Sequence, residues 1–254
     1  MTDDLAAELI TSVDALKVRV FPSERSMAMD AADHAAGVLQ AAVAARGQAR
    51  VILATGNSQR AFVAALAGRA DIDWTKVVVF HMDEYLGVDR DNPGGLGHWL
   101  RTHVDDVLHP AELNYIDGTA DPEAECRRYT ALLTAAPIDL VCMGIGENGH
   151  IAFNEPFDTD FDDERWARIV QINERSVQQQ VDEGHWANPD AVPKQAISLT
   201  VRALRAPENL MVIVPERRKA SAVLTALTAA ISPACPATVL RQEPKATLWL
   251  DDES

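Results

Sequence analysis

Five short runs in this chain are almost entirely apolar: Val51-Ile52-Leu53-Ala54, Val77-Val78-Val79-Phe80, residues 138–143, Leu210-Met211-Val212-Ile213-Val214 and Thr247-Leu248-Trp249-Leu250. A strand with one face in water alternates polar and apolar residues. Runs without alternation must be covered on both faces, which is the habit of a parallel sheet. Stretches of helical period stand between them, at residues 23–45, 61–66, 95–108, 122–135 and 217–230. Residues 17–21, 168–172 and 196–200 read as further strands. This β-α-β-α order predicts an α/β fold with a mostly parallel central sheet and helices on both sides. No repeat or low-complexity linker interrupts the 254 residues, so one domain over 1–254 is expected. Ligands of such sheets gather beyond the carboxyl ends of the strands.

The chain has 38 acidic against 23 basic residues, a net charge of −15. That excludes nucleic acid and an anionic membrane as expected partners, because both need a basic surface. A small anionic substrate remains compatible, since a few local donors outweigh a mean surface field. The three cysteines, Cys126, Cys142 and Cys235, are odd in number and widely spaced, so neither a disulfide framework nor a zinc site is suggested. Cys142 lies inside an apolar run and is expected in the core. The cytosol is the expected compartment. Met1-Thr2-Asp3-Asp4 is acidic, and no signal peptide or membrane span is expected.

Four segments carry the polar residues of interest. Thr55-Gly56-Asn57-Ser58-Gln59 joins a buried strand to a helix. Its outward N–H groups and the helix N-terminus could cradle a phosphate, or Asn57 or Ser58 could simply cap the helix. It lacks the G-K-[ST] ending of a Walker loop. In Phe80-His81-Met82-Asp83-Glu84-Tyr85, two acids follow a strand directly. A desolvated carboxylate there could act as a base, or it could cap the next turn. Gly144 to Gly149 spells G-x-G-x-x-G, but residues 150–163 contain a proline and no helical period, so the dinucleotide reading fails. His150 and Glu155 stand five apart with no further histidine nearby, so no metal site is expected, and the acidic run 158–164 reads as a solvated loop. In Glu216-Arg217-Arg218-Lys219-Ala220, three cations open a helix. Cations there oppose the helix dipole, so an anionic ligand would account for them.

Together these segments resemble the glucosamine-6-phosphate deaminase/isomerase family, within the wider group that includes 6-phosphogluconolactonases. The resemblance runs from about residue 25 to about 250, and its most specific matches are Met82-Asp83-Glu84-Tyr85 and Gly149-His150-Ile151-Ala152-Phe153-Asn154-Glu155-Pro156. The lactonase branch tends to carry threonine after its G-H and lacks A-F-N-E-P, so the chain looks like the deaminase branch.

The resemblance implies a Rossmann-like three-layer sandwich, no cofactor and no metal. It implies conversion of an amino-sugar phosphate, such as glucosamine 6-phosphate, plus water to a ketose phosphate plus ammonia. Asp83 matches the base that moves a proton between C2 and C1. His150 matches the ring-opening group, and Glu155 the acid that supports it. Asn148 stands where some relatives have aspartate and is expected with Asp83, His150 and Glu155 in the catalytic set, able to orient by hydrogen bonding but not to carry negative charge. Thr55, Gly56, Asn57 and Ser58 match the phosphate loop and Lys219 a phosphate-binding lysine, with Glu84 and Gly149 as further substrate-binding positions. A phosphate-binding arginine has no clean match: Arg175 is nearest, beside the divergent Ser176-Val177-Gln178-Gln179-Gln180. Relatives include monomers and larger assemblies, and a homo-oligomer is the expectation carried forward. A lactonase, an isomerase of another anionic sugar and a non-catalytic sugar-phosphate sensor are the competing readings.

Overall fold

A computed structural model describes residues 6–254. The acidic start at Met1 to Asp4, on which the signal-peptide expectation rests, lies outside them. The chain enters as a hairpin, β1 (Leu9–Val13) and β2 (Leu16–Phe21), and continues through α1 (Glu24–Arg46), β3 (Ala49–Leu53), α2 (Arg60–Ala67), β4 (Val77–His81) and β5 (Asp83–Tyr85). Next come α3 (Leu96–Leu100), a π-helical turn (Arg101–Asp105), α4 (Asp106–Leu108), β6 (Glu112–Asn114), α5 (Pro122–Thr134) and β7 (Leu140–Met143). The last part holds β8 (Ala167–Gln171), α6 (Glu174–Asp182), β9 (Gln195–Leu199), α7 (Val201–Arg205), β10 (Asn209–Val214), α8 (Ala220–Thr228) and β11 (Ala246–Asp251).

Eight strands form one sheet in the order β1-β2-β11-β10-β7-β3-β4-β6. Only the β1–β2 pair is antiparallel. A separate antiparallel sheet has the order β5-β9-β8. The unbroken apolar runs explain the layering. Val51 and Leu53 pack on one side with α1, α2 and α3, while Ile52 packs on the other with α5, α7 and α8. Each fully buried aliphatic side chain contributes roughly 1.5–3 kcal/mol, so exposing either face would unfold the sheet. In α1 the small side chains of Ala31, Ala32, Ala35 and Ala36 let the helix lie close to the strands. Ser23 caps its start by accepting the Ser26 N–H, and Gly47 ends it at φ 75°.

The strand runs fall where the sequence puts them, and several other elements do not. The single helix expected at 95–108 is two α-helical pieces joined by the π turn, and the helix expected from 217 begins as a 3-10 turn, Arg217–Lys219. β1, β5, β6, α6 and α7 were not expected. β1 has no buried face to pattern, with Leu9 and Ile10 exposed. α6 is mostly polar and packs through Val177 and Val181 onto a small third core with Tyr85, Phe153 and Val170. The pair Asp83-Glu84, expected directly after a strand, lies on a further short strand, because β5 pairs with β9. Cys142 is in the core, and all three thiols are free. No helix among the described residues is long and apolar enough to cross a membrane.

Candidate active site

β3, β7 and β10 are neighbours at the centre of the sheet, and β7 lies between the other two. From β3 the chain passes through α2 to β4 on one side. From β10 it passes through α8 to β11 on the other, and α2 and α8 cover opposite faces. The two loops therefore diverge at the carboxyl end of β7 and leave a cleft, the switch-point position of open α/β sheets. It encloses about 610 Å³, part of it open to solvent, and is lined by Thr55, Gly56, Ser58, Gln59, Asp83, Gly144, Gly146, His150, Gln179, Gln180, Glu183 and Lys219 among others.

The two loops share a backbone design. Gly56 at φ 101° and Glu216 at φ 83° each precede a 3-10 turn, Asn57–Gln59 and Arg217–Lys219, that opens a helix. The positive φ at Gly56 is one that side-chain-bearing residues adopt at a cost. Among the described residues, the N–H groups of 55–58 have no backbone acceptor. They are the free donors of a helix start, ready for an anion. The third residue of each turn is buried: Gln59 donates to the Ile213 carbonyl at 3.2 Å and ties the loops together. Its counterpart Lys219 is 2% exposed, and among the described residues its ammonium makes no ion pair or hydrogen bond. Burial pulls the ammonium below its usual pKa, opposed by the fields of Glu183, Glu147 and Glu216. An unpaired buried cation facing a cleft is costly unless an anion joins it.

Across the cleft, burial and the neighbouring Glu84 push the Asp83 carboxyl up to about 8, and the Phe153 N–H offsets this only in part. Glu84 itself, expected to bind substrate, does not line the cleft. Its carboxylate accepts the backbone N–H groups of Tyr85 (2.8 Å), Leu96 (3.1 Å) and Gly97 (2.6 Å), so it caps α3. Burial raises its pKa to about 7 against those three donors. Asn57 also turns away: its amide donates to the Glu183 carbonyl at 3.2 Å and lies 3.4 Å from His185.

His150 reaches the cleft, with Asn148, Gly149 and Glu155 behind it. The imidazole Nδ1 lies 3.1 Å from Ser176 Oγ and 3.5 Å from Glu155 Oε2. Asn148 donates to Glu155 at 2.7 Å and to Ser176 at 3.3 Å, while its carbonyl oxygen accepts the His150 N–H at 3.1 Å. Burial would raise the Glu155 pKa, but the His150 field and hydrogen bonds from His150, Ser176 and Asn148 outweigh it and hold it at about 2. The glycines now have a physical reason. A Cβ at Gly146 would overlap the His150 ring, and one at Gly149 (φ 86°) would sit 2.5 Å from Cys235 Sγ. The G-x-G-x-x-G spacing makes room for an imidazole and a thiol.

α6 contributes residues that the sequence did not single out. Gln179 donates to Glu183 at 2.7 Å and accepts the Glu147 N–H at 3.2 Å, and Glu183 pairs with Arg218 at 3.0 Å. Arg175 lines a different depression, with Asn148, Phe157 and Cys235. The only signal for these α6 positions was negative: a Gln-rich stretch where the resemblance asks for an arginine. Among the described residues no group of three or more His, Cys, Asp or Glu side chains is arranged to hold a metal ion.

The model of the family described as glucosamine-6-phosphate isomerases/6-phosphogluconolactonase matches residues 22–249. Glucosamine-6-phosphate deaminases of Bacillus thuringiensis (strain Al Hakam) and Bacillus anthracis (strain A0248) are each 32% identical over 204 residues, 80% of this chain and 75% of theirs. Among solved structures, a monomeric glucosamine-6-phosphate deaminase superposes with a TM-score of 0.85 at 26% identity, over 93% of this chain and 97% of that one. A 6-phosphogluconolactonase from Shewanella baltica OS155 shares the fold, with a TM-score of 0.75 at 20% identity over 95% of this chain and 99% of that one.

Proposed function

The chain belongs to the glucosamine-6-phosphate isomerase/6-phosphogluconolactonase family, and from that premise we propose that it deaminates an amino-sugar phosphate, with glucosamine 6-phosphate plus water giving fructose 6-phosphate plus ammonia. The observation that carries this reading is the pair of opposed features in one cleft: a desolvated carboxylate, Asp83, and an unpaired buried ammonium, Lys219. A lactonase needs no carbon base. An aldose–ketose shift does, and a carboxyl raised to about 8 is a far stronger base than an exposed one.

In this reading Lys219 and the free N–H groups of 55–58 hold the phosphate. His150 Nε2 takes the proton from the anomeric hydroxyl and returns one to the ring oxygen, which opens the ring. Ionised Glu155 stabilises the imidazolium that forms between those two steps. Asp83 then removes the C2 proton, giving an enolamine, and delivers a proton to C1. The resulting C2 imine adds water and loses ammonia. Binding energy from the distal phosphate is spent on holding C1 and C2 against Asp83. Asn148 and Gly149 shape the loop behind His150, and Glu84 and Asn57 serve the scaffold. No resident cofactor takes part in these steps, and the chain acts as a single domain around this cleft.

Ammonia release from glucosamine 6-phosphate by the purified protein tests the proposal, with Asp83→Asn as the control. Hydrolysis of 6-phosphogluconolactone without ammonia release would move the assignment to the lactonase branch. Saturable sugar-phosphate binding with no turnover would make the protein a sensor.

A further inference from the structure

Behind His150 stands a hydroxyl that neither the motifs nor the proposed mechanism uses. Ser176 is 2% exposed, lies on α6, and its Oγ is nearer to the imidazole Nδ1 (3.1 Å) than the Glu155 carboxylate is (3.5 Å). An N–H donor bonds well at about 2.7–3.2 Å, so the serine is the better-placed partner of Nδ1. Its hydrogen bonding can be worked out group by group. The Asn148 carbonyl oxygen accepts the His150 backbone N–H, which fixes the amide so that Nδ2 points at Ser176 and Glu155. An amide nitrogen only donates and an ionised carboxylate only accepts. Ser176 Oγ therefore receives a proton from Asn148, and its own proton has two outlets, Glu155 or an unprotonated Nδ1. Glu155 is charged and buried, its Oε2 shares the Asn148 amide with Ser176 Oγ and stands 3.5 Å from Nδ1, and the Ser176 hydroxyl helps to lower its pKa. A charged acceptor takes the proton in preference to a neutral one. The second lone pair of Oγ is then free for an Nδ1–H donor. No protein group among the described residues bonds Nε2.

We propose that Ser176 is a positioning residue: its hydroxyl links His150 to Glu155, holds the imidazole in the Nδ1–H tautomer and leaves Nε2 as the proton acceptor facing the cleft. The inference rests on the reading of His150 as the proton-transfer group. It also gives α6 a stake in the chemistry. The helix that brings Gln179 and Gln180 to the cleft delivers Ser176 three residues earlier, and its N-cap Asn173 donates its N–H to Glu155 at 3.4 Å. Displacing α6 would loosen the imidazole and the cleft wall together.

The tautomer can be read without substrate, which separates this inference from the assigned reaction. In protein labelled with 15N-histidine, at a pH where the ring is neutral, the resonances missing in His150→Gln identify His150. Wild type is expected to show a protonated Nδ1 and a bare Nε2. Ser176→Ala is expected to mix the tautomers or shift the proton to Nε2, to lower kcat about 10-fold with KM within twofold, and to keep the wild-type circular dichroism. Ser176→Thr, which keeps a hydroxyl, is expected to restore both readouts. An unchanged Nδ1–H tautomer in Ser176→Ala overturns the proposal, whatever happens to kcat. A serine-dependent tautomer in a protein that releases no ammonia would support it and sink the deaminase reading instead.

Discussion

Two buried carboxylates serve the same cleft and have been pushed in opposite directions. Asp83, at the start of β5, has burial and Glu84 acting on it and rises to about 8. Glu155, behind the cleft, is 1% exposed, yet the His150 field and hydrogen bonds from His150, Ser176 and Asn148 overcome desolvation and lower it to about 2. Burial alone does not set a carboxyl's charge. The donors around it do. Environments that drive two acids apart suit the separate tasks of the proposed mechanism: a proton acceptor that must be basic, and an anion that must stay charged to support a cation.

Several measurements would break or sharpen that contrast, and removing the base is the most severe. Asp83→Asn is expected to lower kcat by about 10²–10⁴, the usual worth of a positioned general base, while sugar-phosphate binding survives. A kcat within threefold of wild type would mean that Asp83 is raised for no catalytic purpose.

Gly146→Ala puts a methyl group into the His150 ring. A displacement of that kind costs on the order of 10² in kcat, with thermal stability little changed. Full activity would show that the imidazole does not need its present place. On the other carboxylate, Glu155→Gln keeps shape and removes charge. A loss of about 10–100-fold in kcat is expected, matching a charged hydrogen bond of about 1.5–3 kcal/mol.

Lys219→Met is expected to raise KM about 10-fold by removing one charged phosphate contact. The same change should raise the melting temperature of the free protein, because an unpaired buried ammonium is replaced by an apolar chain. A lower melting temperature with unaltered KM would mean that the lysine is structural.

The smallest effect is in stability against pH, where the two acids should have opposite signs. Glu155 is depressed from an ordinary 4.5 to about 2, so its contribution is present above 4.5 and lost as pH falls from there through about 2. Asp83 is raised from 3.8 to about 8, so the native state holds an extra proton between those values and stability declines as pH rises across that window. Chemical denaturation across pH should therefore find a flatter slope below 4.5 in Glu155→Gln and a flatter slope between 3.8 and about 8 in Asp83→Asn. The same slopes in all three proteins would remove the contrast.

Much of this site was legible in the chain because it lies at strand ends. Thr55 to Gln59, His150 and Lys219 each follow an apolar run that can be nothing but a buried strand, and local composition exposes them. Glu84 was carried as a substrate-binding position with a cap as the alternative, and the groups that make it a cap, the N–H groups of Leu96 and Gly97, are twelve and thirteen residues away. α6 was not read as a helix. The apolar face of this nine-residue helix is Val177 and Val181 alone, too short a pattern to mark a helix, so Ser176 and Gln179 drew notice only as part of a stretch lacking the expected arginine, and Glu183 just beyond it drew none.

The sequence by itself determined the layered parallel sheet, because unbroken apolar runs tolerate no exposed face. It also determined which segments would stand at the carboxyl edge. Only the tertiary structure decided what each polar group does there. β7 sits between β3 and β10, α6 closes over the loop after it, and Glu84 turns inward to a helix start. Charge state and hydrogen-bond direction follow from neighbours brought together across dozens of residues, and no local pattern encodes that proximity.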